Sequence, residues 1–258
     1  MSFIAPVATV LIGILFGGLS VLAGGGVTVV LPVLLALGLT ADQANATSRF
    51  NLTVGTLIAT VILIRKKKID WRTTAPLIGV SAIGAALGAL LGTMVHSTAM
   101  LVIIVATSVV SMILVYLRPN HWLSTTSRGR LVPERAGVLI YGALCAYGGI
   151  VAVDSAILRL IVLVLLLGLP LSKANPIKVV TGLALFAISS IVYGDAGRVD
   201  WPVAAWLAIG TAIGSALASH YAGSDQARKW VYLLLQVSVT LETLLLIAQW
   251  QGWIFSPK

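Results

Sequence analysis

Ten apolar stretches, most of them about 20 residues long, divide this chain and leave little else. They fall at about 3–22, 27–39, 43–64, 73–92, 98–117, 136–147, 150–168, 174–192, 202–221 and 230–250, with a polar stretch at 118–135. A membrane span needs about 20 mostly apolar residues, so ten spans would take up roughly 200 and leave no room for a second, soluble domain. Only 10% of the 258 residues are charged and mean hydropathy is +1.03. That charge cannot coat a water-soluble globule of this size, so a soluble enzyme, a nucleic-acid-binding domain and a disordered chain are excluded. The expectation is an all-α polytopic membrane protein forming a single integral membrane domain over 1–258. Cys145 is the single cysteine, which excludes an intramolecular disulfide. Met1-Ser2-Phe3-Ile4 has no basic n-region, so the first stretch reads as a retained span rather than a removed signal peptide.

The two halves match at a spacing of 130 residues. Leu37-Gly38-Leu39 pairs with Leu167-Gly168-Leu169, Ala44-Asn45 with Ala174-Asn175, Asp70-Trp71 with Asp200-Trp201, and Ala82-Ile83-Gly84 with Ala212-Ile213-Gly214. The register slips at the glycine runs, where Gly25-Gly26 pairs with Gly148-Gly149 at a spacing of 123. Repeat one is thus expected over about 3–117, a linking loop over 118–135 and repeat two over 136–250. Five helices is an odd number, so tandem copies insert upside down to one another, the inverted-repeat design of many secondary transporters.

The charges carry the orientation. Arg65-Lys66-Lys67-Lys68 and Arg72 follow helix three, and Arg118, Arg128, Arg130 and Arg135 follow helix five. Lys173 follows helix seven and Arg228-Lys229 follow helix nine. All lie at odd-numbered connections, hence on one side, and they include most of the 17 basic residues. Basic loops stay cytoplasmic, which puts the loops at 65–72 and 118–135 inside and both termini outside.

Five ionisable residues sit inside apolar stretches: Arg49, Asp154, Arg159, Lys178 and Glu242. Each costs a few kcal/mol on insertion scales, so each should face the protein interior or a cavity. They mark either a substrate or ion path or structural ion pairs. Asn45, Arg49, Thr53, Thr56 and Thr60 recur at helical spacing and form one polar face. Asn175, Lys178, Gly182 and Ser189 form a weaker stripe in the second half. A cation from each half, with amide and hydroxyl donors, suits a small oxyanion. Thr56 and Thr60 are assigned to helix–helix bonding. Gly24-Gly25-Gly26 and Gly148-Gly149 are expected to turn the backbone inside the bilayer, with helices resuming at Val27 and Ile150 and aiming N–H groups at the centre. The stretches 27–39 and 136–147 read as short or broken, whether spanning or re-entrant. Gly84, Gly88 and Gly92 read as a packing ridge, matched by Gly214, Ala218 and Ala222. No zinc spacing, P-loop, nucleophile elbow or carboxylate pair is present, so neither enzymatic activity nor a metal is expected.

Leu22-Ala23-Gly24-Gly25-Gly26 with Pro32, Leu37-Gly38-Leu39, Ala44-Asn45-Ala46-Thr47-Ser48, and the Asp-Trp pair after a basic loop resemble the repeats of the TauE/SafE sulfite exporter family. The resemblance runs over about residues 10–250. It implies a bacterial inner-membrane permease for small sulfur-containing or organic anions, with proton-motive-force coupling and no cofactor. By that resemblance the substrate-binding candidates are Gly24, Gly25, Gly26, Asn45, Thr47, Ser48 and Arg49, then Gly148, Gly149, Asn175 and Lys178. Asn175-Pro176-Ile177-Lys178 departs from the family's Thr-Ser form, and Asp154 stands opposite Leu31 by the local register. Asp154 and Glu242 are candidate proton carriers. The expectation is a secondary transporter moving a small anion by alternating access, with protons and membrane lipid as further partners, a homodimer open, and no nucleic acid. A passive anion channel, a membrane-embedded enzyme and an accessory subunit of a larger complex remain as alternatives.

Overall fold

The computed structural model describes residues 4–22, 26–117, 131–221 and 240. Gly24, Gly25, Glu242, most of the linking loop and all but Thr240 of the expected span at 230–250 lie outside the described residues. The described chain is built of helices. In the first half α1 spans Ile4–Leu22, α2 Gly26–Ala36, α3 Ala41–Arg65, α4 Trp71–Thr93 and α5 Ser97–Leu117. In the second, α6 spans Glu134–Ile150, α7 Ser155–Ile161 with a π-helical continuation over Val162–Leu166, α8 Leu171–Asp195 and α9 Trp201–Tyr221. Four of these, α3, α4, α8 and α9, are long and apolar enough to cross a membrane, and shorter apolar helices accompany them. Large apolar side chains such as Leu87, Leu139, Ile191 and Leu217 lie on the outside, as hydrocarbon solvent requires. The chain is a polytopic membrane protein.

The repeated motifs are helix ends. Asp70 and Asp200 precede α4 and α9, and Asp200 Oδ1 accepts the Val203 N–H at 3.1 Å, an N-cap bond. Gly38 follows α2 in a left-handed conformation, φ +92°, and Leu39 N–H returns to Leu34 C=O at 3.1 Å. This closure satisfies carbonyls that the helix end leaves unpaired. Gly168 repeats it at φ +67°, with Leu169 N–H reaching Leu163 C=O. Lys67 and Gly197, also 130 apart, close α3 and α8 in the same way.

Small residues set which helices touch. Gly84, Gly88 and Gly92 of α4 lie against Gly142, Ala146 and Ile150 of α6, so these two helices run parallel. Gly13 and Gly17 of α1 lie against Leu207 and Thr211 of α9, again parallel. The ridge expected at 84–92 and at Gly214 is therefore packing, with Gly214 on Ile14 and Gly18 of α1. Backbones that close gain dispersion contacts that lipid cannot supply. α3 runs parallel to α9, with Thr47 at Asp200 and Lys66 at Ser219. α8 runs parallel to α4, with Thr181 at Ser81 and Tyr193 at Gly92. Across the centre α3 and α8 are antiparallel: Arg49 meets Tyr193, Thr53 meets Ser190, and Ala59 and Leu63 meet Val179.

The second glycine run behaves differently from expectation. α6 is 17 residues long and passes straight through Gly148 and Gly149. A Cβ on Gly149 would sit 2.6 Å from Ala85 O and 2.8 Å from Ala89 N. The missing side chain is used for contact with α4, not for a turn. The chain breaks instead at Val151–Asp154, and α7 begins at Ser155, not at Ile150. Asp154, a non-glycine, takes the left-handed conformation there, φ 54°. With α2 at Gly26–Ala36 and α7 with its continuation at Ser155–Leu166, the spacing of 130 persists through this region. Asp154 thus corresponds in sequence to Gly24 rather than to Leu31.

Candidate functional site

Asn45 holds the break in the second half. Its side-chain Nδ2 donates to Ile150 O at 3.0 Å, and its Oδ1 accepts the Ala152 N–H at 2.9 Å. Where a helix ends inside a bilayer its backbone groups find no water, and each left unpaired costs several kcal/mol. Asn45, wholly buried on α3, supplies a donor and an acceptor to the gap between α6 and α7. Tyr193 Oη donates a second bond to Ile150 O at 2.9 Å.

Arg49 lies one turn further along the same face of α3. Its Nη1 donates to Gly148 O at 2.8 Å, and its guanidinium stands 4.5 Å from the centre of the Tyr193 ring. A desolvated cation–π contact of this kind is worth about 2 kcal/mol. Nε and Nη2 of Arg49 are buried and meet no acceptor among the described residues. Gly148 therefore enters the cluster through its carbonyl, not through an N–H.

A second cationic group lies beyond. A small cavity is lined by α1, α2, α3, the α6–α7 break, α7 and α8; its polar members are Ser20, Thr56, Arg159 and Lys178, and Leu52 and Phe186 wall it. Arg159 Nε donates to Ser155 O at 3.2 Å, and Nη1 makes long contacts of 3.5 and 3.4 Å to Lys178 O and Thr181 Oγ1. Nη2 of Arg159 and Nζ of Lys178 are buried and have no hydrogen-bond partner among the described residues. Gly182 leaves room for the guanidinium: a Cβ there would stand 3.4 Å from Nη2. Thr181 in turn is bonded to the Tyr141 hydroxyl at 2.6 Å, which fixes α8 against α6.

The expected site residues thus divide. Lys178 shares a cavity with Arg159, and Arg49 is not among that cavity's lining residues. Thr47 accepts the Asp200 N–H, and Ser48 donates to Asn45 O within its own helix, so both are occupied in holding α3. Thr56 lines the cavity and gives its hydroxyl proton to Leu52 O, and Thr60 Oγ1 meets no partner among the described residues, so neither makes the helix–helix bond expected of it. Asn175 is half-buried, with Oδ1 unpartnered among the described residues. Asp154 is buried at the start of α7. Gly26 packs on Phe16 and Ser20 of α1. Arg159 was read from the sequence as a buried cation on a substrate or ion path or in an ion pair, without being placed among the substrate-binding residues, and Tyr193 was not singled out. Arg159 was visible as a cation in an apolar stretch, but nothing local tied it to Lys178; Tyr193 carried no signal beyond being aromatic. Among the described residues no cluster of His, Cys, Asp and Glu could hold a metal ion.

The comparisons with known proteins agree with this picture. The "probable membrane transporter protein ORF9" of a Sinorhizobium species is 25% identical over 230 residues, covering 89% of this chain and 88% of that protein. No solved structure matches the chain. Residues 9–242 match the sulfite exporter TauE/SafE family, so a multi-pass chain with buried, donor-bearing cations at its centre belongs to the TauE/SafE family of membrane transporters.

Proposed function

We propose that this protein moves a small anion, sulfite or a related sulfur-containing or organic anion, across the bacterial inner membrane by alternating access. The observation that carries the proposal is the cavity in which Arg159 and Lys178 each keep an N–H group without an acceptor. An uncompensated buried cation costs several kcal/mol. An anion about 4 Å from a cation recovers about 4 kcal/mol at an effective dielectric near 20. The cavity has a volume of about 20 Å³ in this conformation; an anion that enters as it widens would offset the cost of these cations, and Arg49 adds positive potential at the crossing of α3 and α8.

Alternating access fits a molecule made of two inverted repeats. Equivalent helices of the two halves, α3 and α8, run antiparallel, and the first helix of each half packs along the fourth of the other. A two-fold relation lying in the membrane plane produces this pattern. It also agrees with basic loops on one side, which puts 65–72 inside and both termini outside. Asp154 and Glu242 are the carboxylates proposed for proton coupling.

The test is anion flux into liposomes holding the purified protein, measured for sulfite, thiosulfate, sulfate and small sulfonates with and without a pH gradient. Flux that the gradient drives uphill supports a coupled transporter; purely passive flux makes the protein a channel. Arg49→Ala should abolish flux while the protein still inserts, and unchanged flux would remove Arg49 from the path.

A further inference from the structure

We propose that the central cavity selects divalent over monovalent oxyanions, with Arg159 and Lys178 as the residues that count the charge. The inference rests on the anion-transport reading and adds to it the charge class of the substrate. Two cations share one cavity, and no carboxylate is among its lining residues. The lining is otherwise mostly apolar, with Leu52, Val179 and Phe186 among it. In such a low-dielectric space each unneutralised charge counts for far more than in water. A monovalent ion leaves one of the two cations uncompensated, whereas a divalent ion neutralises both.

Recognition here is carried mainly by charge, with one neutral hydroxyl beside it. Thr56, the hydroxyl of α3 on the lining, already gives its proton to Leu52 O at 2.6 Å. The donors left over are Nη2 of Arg159, Nζ of Lys178 and the single hydroxyl of Ser20, all buried and unpartnered among the described residues, so two of the three carry charge. The two cations belong to the same half of the molecule, Arg159 on α7 and Lys178 on α8, with the Arg159 fork reaching toward the Lys178 carbonyl. Position 48, which is 130 before Lys178, is Ser48, so the first half has no matching cation there. Both cations that line the cavity therefore come from the second half, and the first half adds the Ser20 hydroxyl and apolar walls.

The experiment uses matched anions of like shape that differ by one charge: sulfate against methanesulfonate, and sulfite at pH 8 against methanesulfinate. Each is titrated at constant ionic strength into the detergent-purified, full-length protein. Affinity is read from the rise in unfolding temperature that a ligand of the native state produces. Cys145, wholly buried and the single cysteine, reports unfolding by its reaction with a thiol dye. The divalent member of each pair should bind at least tenfold tighter. Lys178→Met should cut that ratio to threefold or less by weakening the divalent ion most, and Arg159→Gln should do the same. Equal affinities within each pair in the intact protein would overturn the inference while leaving anion binding in place. So would an unchanged ratio in either folded variant. If both variants unfold, the ratios of the intact protein decide alone. No response to any of the four anions would overturn the transport reading itself, and this inference with it.

Discussion

Replacing Asn45 by leucine should destabilise the protein by about 2–4 kcal/mol, although it removes no apolar contact and opens little space. Beside a long contact from Nδ2 to Met100 Sδ at 3.8 Å, its bonds to Ile150 O and to the Ala152 N–H are unequal in consequence. Ile150 O keeps a second donor, the Tyr193 hydroxyl at 2.9 Å, so losing Asn45 Nδ2 removes only the net value of one bond, about 0.5–1.5 kcal/mol. The Ala152 N–H has Asn45 Oδ1 as its acceptor, and Ala152 is 3% exposed. That donor would be left buried and unpaired, at about 1–3 kcal/mol. On the scale that relates stability to melting in chains of this size, the sum lowers the midpoint by roughly 5–15 °C. The assay is thermal unfolding in detergent followed by labelling of the buried Cys145. Gly79→Ala is the control: it lies on the exposed face of α4, where a Cβ meets nothing within 4 Å. It should hold the midpoint or raise it slightly, since alanine favours a helix by about 0.5–1 kcal/mol over glycine. A midpoint for Asn45→Leu within about 2 °C of the parent would refute the argument, because the break at 151–154 would then be held by something other than Asn45.

Other consequences are equally direct. Gly88→Val puts a side chain onto the Ala146 backbone, and Gly214→Val does the same at Ile14. Both should lose the single symmetrical peak in size-exclusion chromatography, because two helix backbones must part to make room. Asp42 and Arg198 form an ion pair joining the start of α3 to the α8–α9 connection. The Arg198 side chain is 42% exposed, so a double-mutant cycle with Asp42→Asn and Arg198→Gln should give a coupling of only about 1 kcal/mol or less, shrinking in high salt; a coupling that ignores salt would contradict this.

The repeat illustrates what could be read locally and what could not. Leu37-Gly38-Leu39 and Asp70-Trp71 were matched to their partners 130 residues on without any knowledge of why. They proved to be a left-handed helix end and a helix start, devices that involve only a few neighbouring residues and leave their mark in consecutive letters. Gly148-Gly149 could not be read this way. Glycine allows both a turn and a close helix contact, and the choice was made by α4, whose backbone at Ala85 and Ala89 comes too near for any side chain. The break expected at Gly148-Gly149 lies instead at Val151–Asp154, with the next helix starting at Ser155.

The cations tell the same story at the site. That Arg49, Arg159 and Lys178 are buried followed from their apolar flanks, because lipid leaves a charge no other tolerable place. Which of them share a cavity depended on how each helix is rotated about its axis, and that is set by neighbours distant in the chain. Arg49 turns to Tyr193 and Gly148, and Arg159 turns to Lys178. The sequence alone determined the solvent, most of the described helices and the motifs spaced 130 apart, since hydropathy and caps act over one turn or one span. The tertiary structure decided the partners of each charge, since those are fixed by helix faces meeting across the molecule.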